Sequence, residues 1–555
     1  MKTRYLLAIC SLPSLATAAF ASDADNSRRF TAERVFDLEY ADDPQISPDG
    51  STIVYARKSM DKFADQVVSD LWSIDTRKGT HRPLVSGQGS SSSVRWSPSG
   101  DRLIYMASNN GKQELRLRFK DTGDSFSLAQ LEQSPGAPVW SPDGKSIAFT
   151  MLVPDERPGF AKPPKSPEGA EWAKPVRVVD DLVFRFDGAG YLPKGKTQIF
   201  VLGTEGGTPR QVTHGQNGFD SPQWLGNDAL LVTGNEAEDA DLDPIESEIY
   251  RVDLSSAAVT PLTRRDGPDF APKIAPNGAR IAYLGYDDEL RSYQQNNVYL
   301  MASDGGGARN LTVNYDRSVD NIAWRSDGKA LIGQVEDEGI LTLVSIDLSG
   351  NVRTLVEDIG GTSLGRPYAA GSFSVASNAG GSSPIIAYTK GSTNRPAEVA
   401  INRGGRDGRQ LTRLNEDALG HLDLARIEEI KISSSHDGRE IEAWVALPPN
   451  FRPDGSFPMI LEIHGGPATM YGPYFSAEIQ RYAAQGYVTV YANPRGSTGY
   501  GEDFAQLIDL NYPGNDHDDL MSVVDALIAK NYVSKDRLFI TGGSGGGVLT
   551  AWAVG

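Results

Sequence analysis

The chain has little cysteine, little histidine and no excess of basic charge. Its 555 residues hold one cysteine, Cys10, and six histidines. A single cysteine excludes a disulfide framework and any zinc site built on several thiolates. Acidic residues outnumber basic ones, 72 against 54, for a formal net charge of −18. That balance argues against a nucleic-acid partner, which wants a basic surface. Beyond the N-terminus no apolar run approaches the roughly 20 residues that a spanning helix needs, so no membrane span is expected. With 39% hydrophobic and 23% charged residues, the composition excludes a collagen-like, coiled-coil or mainly disordered chain.

The N-terminus is the exception to the polar character. Lys2 and Arg4 precede an apolar run from Tyr5 to Phe20, and Ala19-Phe20-Ala21 fits the small-x-small cleavage pattern. Residues 1–21 are therefore expected to be a secretory signal peptide and the product periplasmic or secreted. Cleavage removes Cys10, so the remaining chain must take its stability from packed cores rather than bridges.

What is present in quantity is a repeat. Ser47-Pro48-Asp49-Gly50, Ser97-Pro98-Ser99-Gly100 and Ser141-Pro142-Asp143-Gly144 each precede a short apolar run. Weaker copies start at Leu225, Ala275, Arg325 and Ser377. The spacing is close to fifty residues except between the third and fourth copies. Within each unit further strand-like segments recur, such as Leu71–Asp75, Glu248–Val252 and Leu343–Asp347. Turn and strand alternating at this period is the signature of a propeller blade. The expectation is an all-β, seven-bladed β-propeller within residues 22–425, with an insertion at about 151–196. That insertion is rich in proline and reads as a surface arm, with a lid or an oligomer contact as the functional alternative. The acidic run from Glu236 to Glu248 lacks calcium-loop spacing and reads as a solvated loop, so no metal site is expected.

After about Ala425 strands alternate with helices, which implies a mainly parallel α/β sheet. The apolar strand Pro458–Ile463, interrupted only by Glu462, leads into His464-Gly465-Gly466-Pro467. Another strand, Leu538–Thr541, leads into Gly542-Gly543-Ser544-Gly545-Gly546-Gly547 and then a helix-like segment. Strand, G-x-S-x-G and helix form a nucleophile elbow: a sharp turn lifts a serine hydroxyl above the sheet, and glycines remove colliding side chains. Ser544 is the candidate nucleophile. The backbone amides of Gly466 and Gly545 are candidate oxyanion donors. His464, Gly465 and Pro467 belong to the facing loop, and His464 is expected to shape it rather than act as a base.

These motifs, with Asn493-Pro494-Arg495-Gly496-Ser497-Thr498-Gly499-Tyr500-Gly501 between them, resemble the prolyl oligopeptidase family of serine peptidases. The likeness is to its acylaminoacyl-peptidase and bacterial dipeptidyl-peptidase branch. It implies a propeller before a hydrolase domain, cleavage of short peptides, and an acyl-enzyme on Ser544. It implies no cofactor. One departure is Gly545, where the family usually carries a bulky residue, and a looser turn is expected there. Arg495 is expected to pair with a nearby carboxylate in the loop scaffold.

The family's acid and histidine follow the nucleophile, whereas all six histidines here precede Ser544 and eleven residues follow it. The expectation is an incomplete α/β-hydrolase domain over residues 426–555, a C-terminally truncated chain, and no peptidase activity from it. Two other readings stay open: a periplasmic propeller serving as a binding module, and an esterase on the same hydrolase fold. Oligomeric state and substrate preference are left open.

Overall fold

The structure, a computed structural model, describes residues 27–555 apart from Gln88 and residues 110–111, 156–163, 174–175, 379–382 and 406–407. The expected signal peptide and Cys10 lie outside the described residues. Among those described, no helix is long and apolar enough to cross a membrane.

From residue 39 to residue 410 the chain forms seven consecutive groups of four antiparallel strands, over residues 39–85, 90–130, 135–211, 219–261, 269–310, 319–359 and 373–410. The last two groups are joined through the single pair Ile359↔Lys390 into one eight-stranded sheet. Tryptophans on the first strand of a group clamp it to the group before. The indole N–H of Trp96 donates to Gln45 O, that of Trp140 to Arg95 O, that of Trp224 to Val139 O and that of Trp324 to Lys273 O. The first group also meets the last. Ala41 and Ile46 share one buried cluster with Ala376, Ala387, Val399 and Ile401. Ala41 N–H donates to Ala397 O, and Ile46 N–H to Ser374 Oγ.

The repeated tetrapeptide is the turn between the first and second strands of a group. Gly50 N–H donates to Ser47 O at 2.8 Å, and Asp49 Oδ1 accepts from the Ser47 hydroxyl and the Ser51 amide. Gly50, at φ 72°, supplies the left-handed residue that closes the turn. The long spacing has a local cause. The second and third strands of the third group, Ser146–Pro154 and Gly195–Gly203, pair without a break from Ser146↔Gly203 to Pro154↔Gly195. The extra residues, 155–194, therefore leave from the far end of that hairpin, and they carry a two-residue hairpin of their own (Arg185–Phe186 with Gly190–Tyr191).

A five-stranded sheet follows: β1 (Arg426–Ser433), β2 (Glu440–Leu447), β3 (Phe457–Ile463), β4 (Val488–Asn493) and β5 (Val533–Gly542) in the order β1-β2-β4-β3-β5. The mainly parallel sheet expected above is corrected here. β1/β2 and β2/β4 pair antiparallel, whereas β3/β4 and β3/β5 pair parallel. The tight turn at Ser435–Gly438 makes the first pair a hairpin, and only the strands separated by helices run parallel. Three helices pack on this sheet: α1 (Ala477–Ala484), α2 (Asn515–Ala529) and α3 (Gly545–Val554). Helix α2 places Asp516 and Asp518 in its first turn. Its Leu520, Val523, Val524 and Leu527 join Val445, Leu461 and Val490 in one buried cluster.

Glycines bring the two regions together. Gly472 sits against the Glu338–Gly339 turn so tightly that an added Cβ would lie 1.8 Å from Gly339 O. Nearby, Glu338 N–H donates to Gly499 O, and Leu341 N–H to Tyr474 Oη. Gly472→Ala must push these main chains apart. It is expected to lower unfolding stability by about 1–3 kcal/mol, the usual range for overpacking, as measured by urea titration.

Candidate active site

The site grows from the ends of two neighbouring parallel strands. Ile463, the last residue of β3, pairs with Gly542, the last residue of β5. Both chains therefore leave the sheet at the same place, the crevice where open α/β sheets bind ligands. One carries His464–Pro467 away from β3. The other turns at once into α3.

That turn is sharp. Ser544 has φ 55° and ψ −118°, a left-handed value rare for a residue with a side chain, and it is exposed. The elbow presses on β3: a Cβ at Gly546 would lie 2.2 Å from Ile463 O, and one at Gly542 would lie 2.6 Å from Gly546 O. A Cβ at Gly545 would lie 2.8 Å from Gly466 O and 3.1 Å from Tyr512 Oη. The missing side chain at Gly545 therefore does not leave a looser turn. The His464–Pro467 loop occupies the space instead, and Tyr512 ties the turn by donating to Gly545 O at 2.8 Å.

The facing loop presents its amides unequally. Gly465 is buried, and its N–H donates to the hydroxyl of Tyr368 at 2.8 Å. Gly466, exposed and at φ 101°, follows it. A methyl placed on Gly465 would be 3.5 Å from Ser544 Cβ, so this loop and the serine share one small space. Gly545 is the first residue of α3, where backbone N–H groups have no partner inside the helix. An anion forming at Ser544 would meet these amides and the positive end of the helix.

His464 is buried, with Nδ1 2.7 Å from Gly465 O and Nε2 2.9 Å from Ser497 Oγ. A carbonyl can only accept, so Nδ1 carries the proton, while the Ser497 hydroxyl, 2.9 Å from Nε2, donates to Pro494 O at 2.6 Å. Burial pushes this imidazole down to about 4. It is a neutral strut between two loops, and neither nitrogen is turned to Ser544. Among the described residues no side chain hydrogen-bonds to Ser544 Oγ.

Arg495 is 4% exposed and is not brought to the serine. Its Nε and Nη2 donate to the two oxygens of Asp519 at 2.9 and 2.8 Å, and its Nη groups also reach Asp437 and the Ser434 hydroxyl. Its own amide donates to Asp519 as well. Breaking a buried pair of this kind typically costs about 3–5 kcal/mol, so Arg495 fixes the loop after β4 to α2. In the same loop Asn493 exchanges two bonds with the main chain of Tyr471, and Thr498 N–H donates to Thr469 O. The loops after β3 and β4 are thus stitched together.

Two residues beside the site come from the earlier region and carry no motif. Arg366 and Tyr368 lie between the sixth and seventh strand groups. Arg366 Nε is 3.2 Å from Glu462 and 3.1 Å from Glu478, and its Nη1 lies against the Cβ direction of Gly543. Glu462 is fully buried, and burial pushes its carboxyl up to about 7 even with Arg366 beside it. Its place in an otherwise apolar strand was the one sequence signal that a cation had to arrive from elsewhere.

His464 supplies a pH test. Its pKa is about 6.5 when unfolded and about 4 in the fold, so the fold holds it neutral. Its contribution is present in full above pH 6.5 and is lost as pH falls towards 4, by about 3 kcal/mol at most. Urea unfolding between pH 7 and pH 4.5 should therefore show the wild type losing stability relative to His464→Gln on acidification. Parallel slopes would contradict this account.

Residues 473–555 match the model of the prolyl oligopeptidase family. The chain is 28% identical over 538 residues to the uncharacterized peptidase YuxL of Bacillus subtilis, covering 95% of this chain and 80% of that one. It is 22% identical over 558 residues to dipeptidyl-peptidase 5 of Porphyromonas gingivalis, covering 96% and 78%. Among solved structures it resembles the acylaminoacyl peptidase of Pyrococcus horikoshii, with a TM-score of 0.74, 21% identity and coverage of 94% and 76%.

Proposed function

We propose, for a chain that belongs to the prolyl oligopeptidase family, the role of an exported serine peptidase that cleaves short peptides. Ser544 Oγ attacks the scissile carbonyl and forms an acyl-enzyme. The amine product leaves, and water then releases the acyl group. The oxyanion is held by the amides of Gly466 and Gly545. The observation that carries this reading is Ser544 itself: an exposed serine in a strained conformation between β5 and α3, against a glycine loop from the neighbouring strand.

The peptide class is supported by relatives named as peptidases and by a similar acylaminoacyl peptidase solved with Z-Gly-Gly-Phe-chloromethyl ketone. The seven strand groups read as a seven-bladed propeller that limits access to the site. The meeting of the first and last groups supports a closed ring. Export rests on the N-terminal sequence, with its basic start and apolar run.

The base that activates Ser544 is not among the described residues that touch it, since His464 is committed to Gly465 and Ser497. The 555-residue chain on its own is therefore expected to leave a peptide p-nitroanilide uncleaved. In the protein as its host makes it, a fluorophosphonate should label Ser544, and Ser544→Ala should abolish both labelling and hydrolysis. Folded wild-type protein that is never labelled would instead favour a binding module.

A further inference from the structure

We propose that Tyr368, carried on the loop between the sixth and seventh strand groups, is a positioning residue for the oxyanion-binding loop. The inference rests on the serine-peptidase reading and adds to it a residue from outside the hydrolase region.

The loop in question, residues 360–372, leaves the sixth group after Ile359 and re-enters the seventh at Phe373. Between them it docks, through its main chain, on the segment that leads from β3 into α1. Ala477 N–H donates to Leu364 O, Gly472 N–H to Pro367 O, and the Ser476 hydroxyl, which also caps α1, to Gly365 O. Tyr368 pairs with Tyr471 as an isolated antiparallel bridge, and their rings lie 4.8 Å apart. Arg366 adds a charged anchor to Glu462 and Glu478. Tyr368 is thus held from three sides before its hydroxyl reaches the site.

That hydroxyl accepts the N–H of Gly465 at 2.8 Å. The Gly465 amide is buried, so without an acceptor it would be a costly orphan. Capturing it has a directional consequence. Successive amides in a glycine pair can rotate, and an unheld Gly465 would be free to swing its own N–H towards the ligand side. With Gly465 N–H held by Tyr368 and Gly465 O held by His464 Nδ1 at 2.7 Å, the two successive peptide planes that carry the Gly465 and Gly466 amides are both fixed, and Gly466 is the exposed one. The main chain of Gly466 is meanwhile pressed against Gly545, where a Cβ would lie 2.8 Å from Gly466 O. Tyr368 acts on the loop from one side and the elbow acts from the other.

A donor placed for an oxyanion acts mainly in the transition state, so misplacing it lowers kcat more than it raises KM. In the full-length protein as its host makes it, Tyr368→Phe keeps the ring on Tyr471 and removes only the acceptor. It is expected to lower kcat for a peptide p-nitroanilide about tenfold or more with KM within about twofold. The affinity of a peptide boronate, whose serine adduct mimics the tetrahedral anion, should fall in parallel, while a non-reactive competing peptide binds as before. Arg366→Gln, which leaves Tyr368 intact but loosens its loop, should show the same split with a smaller fall and serves if Tyr368→Phe does not fold. Unchanged kcat in folded Tyr368→Phe would overturn the proposal. So would equal losses in boronate and ground-state peptide binding. If Ser544→Ala retained wild-type turnover, the peptidase reading itself would fall and take this inference with it, an outcome visible without any change at Tyr368.

Discussion

The closest constraint in the molecule is the approach of two main chains with no side chain between them. Gly545 and Gly546 of the elbow lie against Ile463, His464 and Gly466, at distances that any Cβ would violate. This contact needs β3 and β5 to be neighbours and parallel, with their ends level, as Ile463↔Gly542 are. It needs glycine at successive positions, which costs backbone entropy. The return is that a strained serine and a glycine loop share one small volume. The rest of the hydrolase region can be understood as holding that contact still. Arg495 clamps the loop after β4 to α2, His464 braces the loop after β3 against Ser497, and Tyr512 ties the elbow by its Gly545 carbonyl.

Features encoded by local chemistry were legible in the sequence. The Ser-Pro-Asp-Gly turns marked the first three strand groups most clearly, and their weaker copies the rest, because proline, aspartate and glycine do distinct work within four residues. The elbow and the His464–Pro467 loop were legible because glycine, serine and apolar strands lie side by side in the chain. Mixed strand direction was not, since a hairpin at Ser435–Gly438 and a helix-separated pair leave similar apolar runs. Arg366 and Tyr368 were not legible either. Roughly a hundred residues separate them from Gly465 and Glu462, and nothing local announces such a contact. Only Glu462, a carboxylate in a buried strand, hinted at a missing partner. The insertion was recognised by period, but its bounds tightened to 155–194 because strand pairing runs further than proline content suggests.

The charges inside the molecule pull stability in opposite directions with pH. Glu336, at the contact with Thr498, and Glu462 are both pushed up to about 7 by burial, and Glu442, under Tyr500, is raised for the same reason. A carboxyl raised in the fold binds its proton more tightly there than when unfolded. Its stabilising share is therefore complete below the ordinary carboxylate pKa, near 4.3, and is lost as pH climbs through about 7. His464 behaves the other way, being lost on acidification. Between about pH 4 and 7 the two kinds of group offset each other, so a modest overall pH dependence would conceal large individual terms.

The same carboxylates show where the two regions depend on each other. Glu336 is on the propeller side and Thr498 on the hydrolase side, and Glu338 reaches Gly499 in the very loop that Arg495 secures. Tyr368 extends that dependence to the glycine loop facing Ser544. A hydrolase region parted from its partner would expose the Gly465 amide to water or leave it unpaired, at a cost of about 1–3 kcal/mol if it stayed buried. It would also lose the bridge between Tyr368 and Tyr471. The residues that would perform the chemistry all lie after residue 460, yet the shape of their loop is set in part by residues before 370. Docking of the two regions and readiness of the site are therefore one equilibrium, and any motion that separates them must also loosen the amides that would hold the oxyanion.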